Sequence, residues 1–252
     1  MNLISASNGS VIFCKGKALV VKNTTTDAVE EVAVPGQISF MCKRYLVDSE
    51  KNLYTIDGTA LRKILKLSRN IFCLVEHGDA VYVADRFGDV HRIGNGECEY
   101  VLGTLSYLTG MAIHNGKIIL SDKYGRIRIS RMDGKILDYK FSCDPIVSLE
   151  CINGSLVSIS NRCVALHDRE YSIKSAFELP EDTKVLKTIS RGKDELIVIC
   201  PNSYLLFRVE DRIDLVSLVK EAIADGVCSG STFYKVMLDL TIVDDSGKVF
   251  YE

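Results

Sequence analysis

Two stretches decide the fold: Ala80-Val-Tyr-Val-Ala-Asp85 leading to Asp89-Val-His-Arg-Ile93, and Lys117-Ile-Ile-Leu-Ser-Asp122 leading to Arg126-Ile-Arg-Ile129. Each is an apolar run that ends on Asp, turns within three residues and re-enters as a second run. β-branched and aromatic side chains in runs of this length specify strands, and the short polar interruption specifies a turn. The unit recurs. Arg44-Tyr-Leu-Val-Asp48 leads to Asn52-Leu-Tyr-Thr-Ile56, and Ser155-Leu-Val-Ser-Ile-Ser160 leads to Cys163-Val-Ala-Leu166. Leu196-Ile-Val-Ile-Cys-Pro201 leads to Tyr204-Leu-Leu-Phe207, and Met237-Leu-Asp-Leu-Thr-Ile-Val-Asp244 leads to Lys248-Val-Phe-Tyr251. Ala18-Leu-Val-Val21 is a weaker copy.

Turn starts at 48, 85, 122, 160, 201 and 244 give steps of 37, 37, 38, 41 and 43 residues. A marker near 22 adds a short first step of 26. Periods of about 40–45 residues belong to propeller blades, each a four-stranded sheet protected by radial repetition. The expectation is an all-β, seven-bladed β-propeller of degenerate WD repeats, forming one domain over 1–252. Six blades remain open if the first unit is only part of a blade. Closure is expected through pairing of Ser10–Cys14 with the C-terminal strands. Asn-Gly at 95–96, 115–116 and 153–154 and Asp-Gly at 57–58, 133–134 and 225–226 supply the positive φ of tight hairpins. One segment departs from the pattern. Asp211 to Ala224 spaces its apolar residues as a helix face would, and it reads equally as a helix or as a strand followed by a loop.

Composition agrees with a globular chain. The 252 residues are 47% hydrophobic and 25% charged, which excludes disorder as the main state. No apolar run reaches the roughly 18–20 residues of a membrane span, and the polar stretch Met1–Ser10 leads to the expectation of no secretion signal. The nine cysteines are scattered with no C-x-x-C pair, and the expectation is reduced core thiols. The four histidines do not cluster with them, so no zinc site is expected.

Catalytic patterns are missing. Gly94-Asn-Gly96 is a hairpin turn, not a phosphate-binding loop opening a helix. No nucleophile elbow or Ser/Cys–His–Asp arrangement occurs. Asp48, Asp85, Asp122 and Asp244 stand at repeated strand ends, where Asp caps turn N–H groups, and they read as structural. Charge is more informative than the net −2 suggests. Residues 111–140 hold seven Lys/Arg (117, 123, 126, 128, 131, 135, 140) against three Asp, and residues 41–70 hold seven (43, 44, 51, 62, 63, 66, 69) against three acids. Each segment sums to +4, so the remaining 192 residues sum to −10. Solvated hairpin surface accounts for such segments as readily as contact with an acidic partner or a phosphate backbone does.

The run Val83-Ala-Asp-Arg-Phe-Gly-Asp-Val90, then Leu102-Gly-Thr-Leu-Ser-Tyr-Leu-Thr-Gly-Met-Ala-Ile113, then Ile119-Leu-Ser-Asp-Lys-Tyr-Gly-Arg-Ile-Arg-Ile-Ser130 resembles one WD-repeat family in order and spacing. That family is the non-catalytic subunit of eukaryotic tRNA (guanine-N(7)-)-methyltransferase. Phe141-Ser-Cys-Asp-Pro-Ile-Val-Ser148 extends the resemblance, which elsewhere is only that of the repeat. Thr104 replaces the family's His, Ser121 stands where Ala is usual, and the chain has no Trp. The resemblance implies a scaffold with no catalytic residues, cofactor or metal of its own. It implies a heterodimer with a catalytic subunit that uses S-adenosylmethionine to methylate a variable-loop guanosine of tRNA. It implies tRNA reached through the complex, no membrane, and location in the nucleus, with the cytoplasm also open. Carried over by motif, Arg86, Lys123, Arg126 and Arg128 are the partner-binding residues. Two other readings stand beside it: an interaction platform for another intracellular complex, and an enzymatic propeller with a metal in its channel.

Overall fold

The computed structural model describes residues 4–7, 9–15, 18–103, 107–142 and 144–251. Among these there is no helix, and the strands form seven four-stranded antiparallel sheets. Blade 1 is β1 (Ile4–Ser7), β2 (Ser10–Lys15), β3 (Ala18–Asn23) and β4 (Val29–Ala33). Blade 2 is β5 (Ile38–Cys42), β6 (Tyr45–Asp48), β7 (Asn52–Asp57) and β8 (Ala60–Lys66). Blade 3 is β9 (Ile71–His77), β10 (Ala80–Asp85), β11 (Val90–Gly94) and β12 (Glu97–Leu102). Blade 4 is β13 (Leu108–His114), β14 (Lys117–Asp122), β15 (Arg126–Arg131) and β16 (Ile136–Phe141). Blade 5 is β17 (Ile146–Ile152), β18 (Ser155–Ser160), β19 (Cys163–His167) and β20 (Ile173–Glu178). Blade 6 is β21 (Lys187–Arg191), β22 (Glu195–Cys200), β23 (Ser203–Val209) and β24 (Ile213–Val219). Blade 7 is β25 (Ile223–Ser229), β26 (Thr232–Met237), β27 (Ile242–Val243) and β28 (Val249–Tyr251). The fold class is the seven-bladed β-propeller. The chain divides into two compact units, Met1–Asn70 with Ala222–Glu252, and Ile71–Glu221.

The second strand of each blade explains the apolar runs. In β10 every residue from Ala80 to Asp85 is buried, and β14, β18 and β22 are nearly so. A strand covered on both faces selects apolar side chains at consecutive positions rather than alternate ones. Fully burying one Leu, Ile or Val contributes about 1.5–3 kcal/mol. Outer strands instead face solvent, as β16 does with four of its first five positions exposed.

The strand ends regularise the repeat. Second strands end at 15, 48, 85, 122, 160, 200 and 237, so the steps are 33, 37, 37, 38, 40 and 37. The short first step and the long last one came from markers placed one strand too late. Asp244 lies in the β27–β28 turn, not the turn after the second strand. Its role in a turn holds: Oδ1 accepts from the backbone N–H of Ser246 and Lys248.

Three expectations are corrected. Ser10–Cys14 does not pair with C-terminal strands, because β2 is already flanked by β1 and β3. Blades 1 and 7 meet through side chains, with Ile4, Val11, Phe13 and Val20 packed on Tyr234, Val236 and Ile242. Phe13 and Tyr251 make an edge contact at 4.6 Å. Asp225-Gly226 is not a turn but part of β25, where a side chain on Gly226 would strike the Phe233 ring. Eight cysteines are free thiols: Cys200 is buried and Cys14 and Cys73 pack half-buried against the core, whereas Cys98 and Cys151 are exposed, so the core reading holds only in part, and Cys143 lies outside the described residues. The open segment 211–224 takes the second of its two readings, strand β24 followed by a short link that enters β25 at Ile223. A bulge opposite Leu206–Phe207 leaves Val216 unpaired, and this extra residue breaks the two-residue alternation so that it mimics a helical period.

Candidate functional site

The residues singled out by sequence lie on blades 3 and 4, within one compact unit. Their positions follow from the turn after each second strand. Asp85 Oδ1 accepts from the N–H of Phe87 at 2.8 Å and of Asp89 at 3.1 Å. Asp122 Oδ1 accepts from Tyr124 at 2.9 Å and Arg126 at 3.1 Å, and Asp48 Oδ1 does the same for Glu50 and Asn52. The fourth position has positive φ: 68° at Lys51, 89° at Gly88 and 81° at Gly125. This turn therefore fixes its first and fourth residues and leaves the second and third pointing to solvent.

Those free positions are Ser49-Glu50 on blade 2, Arg86-Phe87 on blade 3 and Lys123-Tyr124 on blade 4. Phe87 is 65% exposed and Tyr124 is 69% exposed. Turn geometry asks for neither aromatic, and exposing one forgoes the stabilisation its burial would give. Tyr107 joins the two turns. Its hydroxyl accepts from Arg86 Nη1, and its ring lies 5.3 Å from the Arg86 guanidinium and 5.7 Å from Lys123 Nζ. Its carbonyl accepts from the Lys123 N–H at 3.1 Å, while the next residue, Leu108, donates to the Arg86 carbonyl at 3.0 Å. Arg86 also covers the Phe72 ring and Lys123 the Tyr124 ring, at 5.1 and 5.0 Å. The structure thus brings Arg86 and Lys123 together in one cation–aromatic cluster.

Arg126 sits at its edge. Nε and Nη2 both donate to Asp122 Oδ2, at 2.9 and 2.8 Å, and the guanidinium lies 5.7 Å from the Tyr139 ring. Arg128 is placed differently. It is only 8% exposed, donates from Nη1 to the Gly103 carbonyl at 2.7 Å, and leaves Nε without a partner among the described residues. The same blade explains the +4 of residues 111–140. Asp122, Asp133 and Asp138 pair with Arg126, Arg131 and Lys140. Lys117, Lys123, Arg128 and Lys135 have no carboxylate partner among the described residues. Lys140 beside Asp138 holds that carboxyl below its ordinary range.

Sequence reading selected the cations but passed over Phe87, Tyr107 and Tyr124. The signal was available: Asp85-Arg-Phe-Gly88 and Asp122-Lys-Tyr-Gly125 repeat as Asp, cation, aromatic, Gly. Thr104 of the family motif lies outside the described residues. Among the described residues no group of three or more His, Cys, Asp or Glu is placed to hold a metal ion.

By fold the chain is a seven-bladed β-propeller, and solved structures of that fold resemble it over nearly its whole length. A chain in the crystal structure of the mitotic checkpoint complex superposes with a TM-score of 0.76 at 11% identity, over 95% of this chain and 85% of that one. Kluyveromyces lactis Hsv2p gives 0.70 at 13% identity, over 97% and 91%. Virginiamycin B lyase from Staphylococcus aureus gives 0.70 at 13% identity, over 93% and 90%. Identities this low establish the fold alone. No protein-family model matches the sequence, and no curated protein matches it.

Proposed function

We propose that this chain is a non-catalytic interaction platform, the WD-repeat-like subunit that holds the catalytic subunit of a tRNA (guanine-N(7)-)-methyltransferase. The observation that carries the platform reading is the Arg86–Tyr107–Lys123 cluster with Phe87 and Tyr124 beside it. It is exposed, cationic and aromatic at positions the fold leaves free. Arg and Tyr in this combination are enriched among residues that dominate binding energy at protein interfaces. Cations around them select an acidic counter-surface and speed encounter with it. The choice of partner rests on the ordered resemblance of residues 83–130. In this reading S-adenosylmethionine and the reacting groups belong to the partner, and tRNA is engaged through the complex, in the nucleus.

The role of this chain is then positional. Arg86 and Lys123 contact the partner, and Arg126 is held in one orientation by Asp122. Arg128 supports the surface from below by fixing the end of blade 3 to blade 4. The test is co-expression with the catalytic subunit of the same organism, followed by purification and a tRNA methylation assay. The expected result is a 1:1 complex that methylates tRNA, while this chain alone does not. Failure of the two to co-purify defeats the methyltransferase assignment.

A further inference from the structure

The second basic segment, residues 41–70, has no part in the proposed docking face. It belongs to blade 2, in the other compact unit. Of its three acids, Asp48 is turned inward, while Glu50 and Asp57 are exposed. Asp48 is 2% exposed, and its Oδ2 accepts from Asn52 Nδ2 and the Tyr54 hydroxyl while Oδ1 caps the turn. The cations sit outside: Lys43, Arg44, Arg62, Lys63, Lys66 and Arg69 are all exposed. Arg62, Lys63 and Lys66 lie on the outer strand β8 and make no ion pair among the described residues. A 430 Å³ concavity on this blade is lined by Arg44 and Arg62 with the Thr55 hydroxyl between them and Asp57 at its side. Thr55 and Arg62 are direct cross-strand neighbours, which fixes the hydroxyl beside the guanidinium.

We infer that the outer edge of blade 2, strand β8, binds an RNA phosphate backbone, with Arg62, Lys63 and Lys66 as the contacting cations. The choice of RNA follows from what this edge lacks. No large hydrophobic residue between 30 and 86 is exposed, in contrast with Phe87, Tyr124 and Phe141 on blades 3 and 4. A protein partner would need an apolar anchor there, and a bilayer would need an apolar wedge. A strip whose cations outnumber its acids and that lacks an apolar anchor fits a polyanion whose affinity comes from counterion release. Successive side chains of a strand point to opposite faces, so Lys63 and Arg62 reach past both sides of the edge. The strip spans about 13 Å from Arg62 to Lys66. Binding at this edge is independent of the methyltransferase partner and is measured on this chain alone.

The experiment uses the purified full chain and an unmodified tRNA transcript, with fluorescence anisotropy at 50–200 mM KCl. Three phosphate contacts predict a fall in affinity of roughly 20–40-fold across that range. R62Q/K63Q/K66Q should flatten the salt dependence by about 2–3 in logarithmic slope and weaken binding at low salt at least tenfold. The charge-conserving R62K/K63R/K66R, measured beside it with a thermal melt for each, should keep both. Absence of tRNA binding by the wild-type chain overturns the inference. Unchanged affinity in the glutamine variant overturns it too, as does tighter binding to phosphatidylserine vesicles than to tRNA.

Discussion

Arg128 donates from Nη1 to the carbonyl oxygen of Gly103 at 2.7 Å, and so ties the middle of blade 4 to the end of blade 3. The two residues are 25 positions apart in sequence, and the motif that contains Arg128 gives no hint of its burial. Replacing Arg128 with Leu strands that carbonyl without its donor, at a cost of about 1–3 kcal/mol. Arg128→Glu adds a buried carboxylate and should be worse. Chemical denaturation of the isolated chain reads this directly. A wild-type midpoint in Arg128→Glu would restore Arg128 to the surface.

Lys123 and Tyr124 should behave in the opposite way. Both occupy turn positions whose side chains the fold does not use, so Lys123→Glu with Tyr124→Ala should shift stability by no more than about 0.5 kcal/mol. Loss of one half of the cluster should weaken partner binding at least tenfold by calorimetry. The charge change should also reduce its salt dependence. Full affinity in this variant removes the cluster from the interface.

Gly125 closes the same turn with φ of 81°, and a side chain there would stand 2.7 Å from the carbonyl oxygens of Ser142 and Asp144. The left-handed conformation alone costs a residue with Cβ about 1–2 kcal/mol. Gly125→Ala should exceed that because backbone must move. A melting temperature within a degree of wild type would contradict it.

Lys22 clasps the chain ends together. Its Nζ donates to the Phe250 carbonyl, lies 4.4 Å from that ring and pairs with Asp27 at 2.9 Å. Lys22→Met keeps the stem and deletes the charge. Limited proteolysis should then cut near residue 250 faster than in wild type while cleavage in blades 3–6 is unchanged.

His167 supplies the pH dependence. Nδ1–H donates to the Tyr171 carbonyl at 3.1 Å, so Nε2 accepts from the Ser158 hydroxyl at 2.8 Å. Burial holds its pKa below the ordinary imidazole value, with Tyr171 and Asp168 opposing and His114 reinforcing. The unfolded chain therefore takes up this proton first. Above about pH 6.5 the residue contributes no pH dependence, and stability falls as pH drops through the unfolded and then the folded value. His167→Gln should flatten the melting-temperature curve between pH 7.5 and 5.5. Parallel curves would assign the effect elsewhere.

The propeller was legible because burial on both faces of the second strands leaves apolar runs at a constant step. The Asp turns were legible because each caps N–H groups two and four residues on, all within one local segment. Segment 211–224 was not legible: the bulge at Val216 depends on pairing with β23, which no local pattern encodes. Closure failed for a similar reason. Whether Ser10–Cys14 joins C-terminal strands depends on whether blade 1 already has four strands, and β1 supplies the fourth.

For the candidate site, the sequence by itself determined which turns carry cations and which aromatic follows each. Tertiary structure decided which of those cations are available. Lys123 and Arg128 sit five residues apart with the same charge, yet one covers Tyr107 in solvent and the other is buried against Gly103. Charge and spacing are properties of the local chain. Burial depends on what the neighbouring blade brings against it, and that contact forms only when the sheets pack.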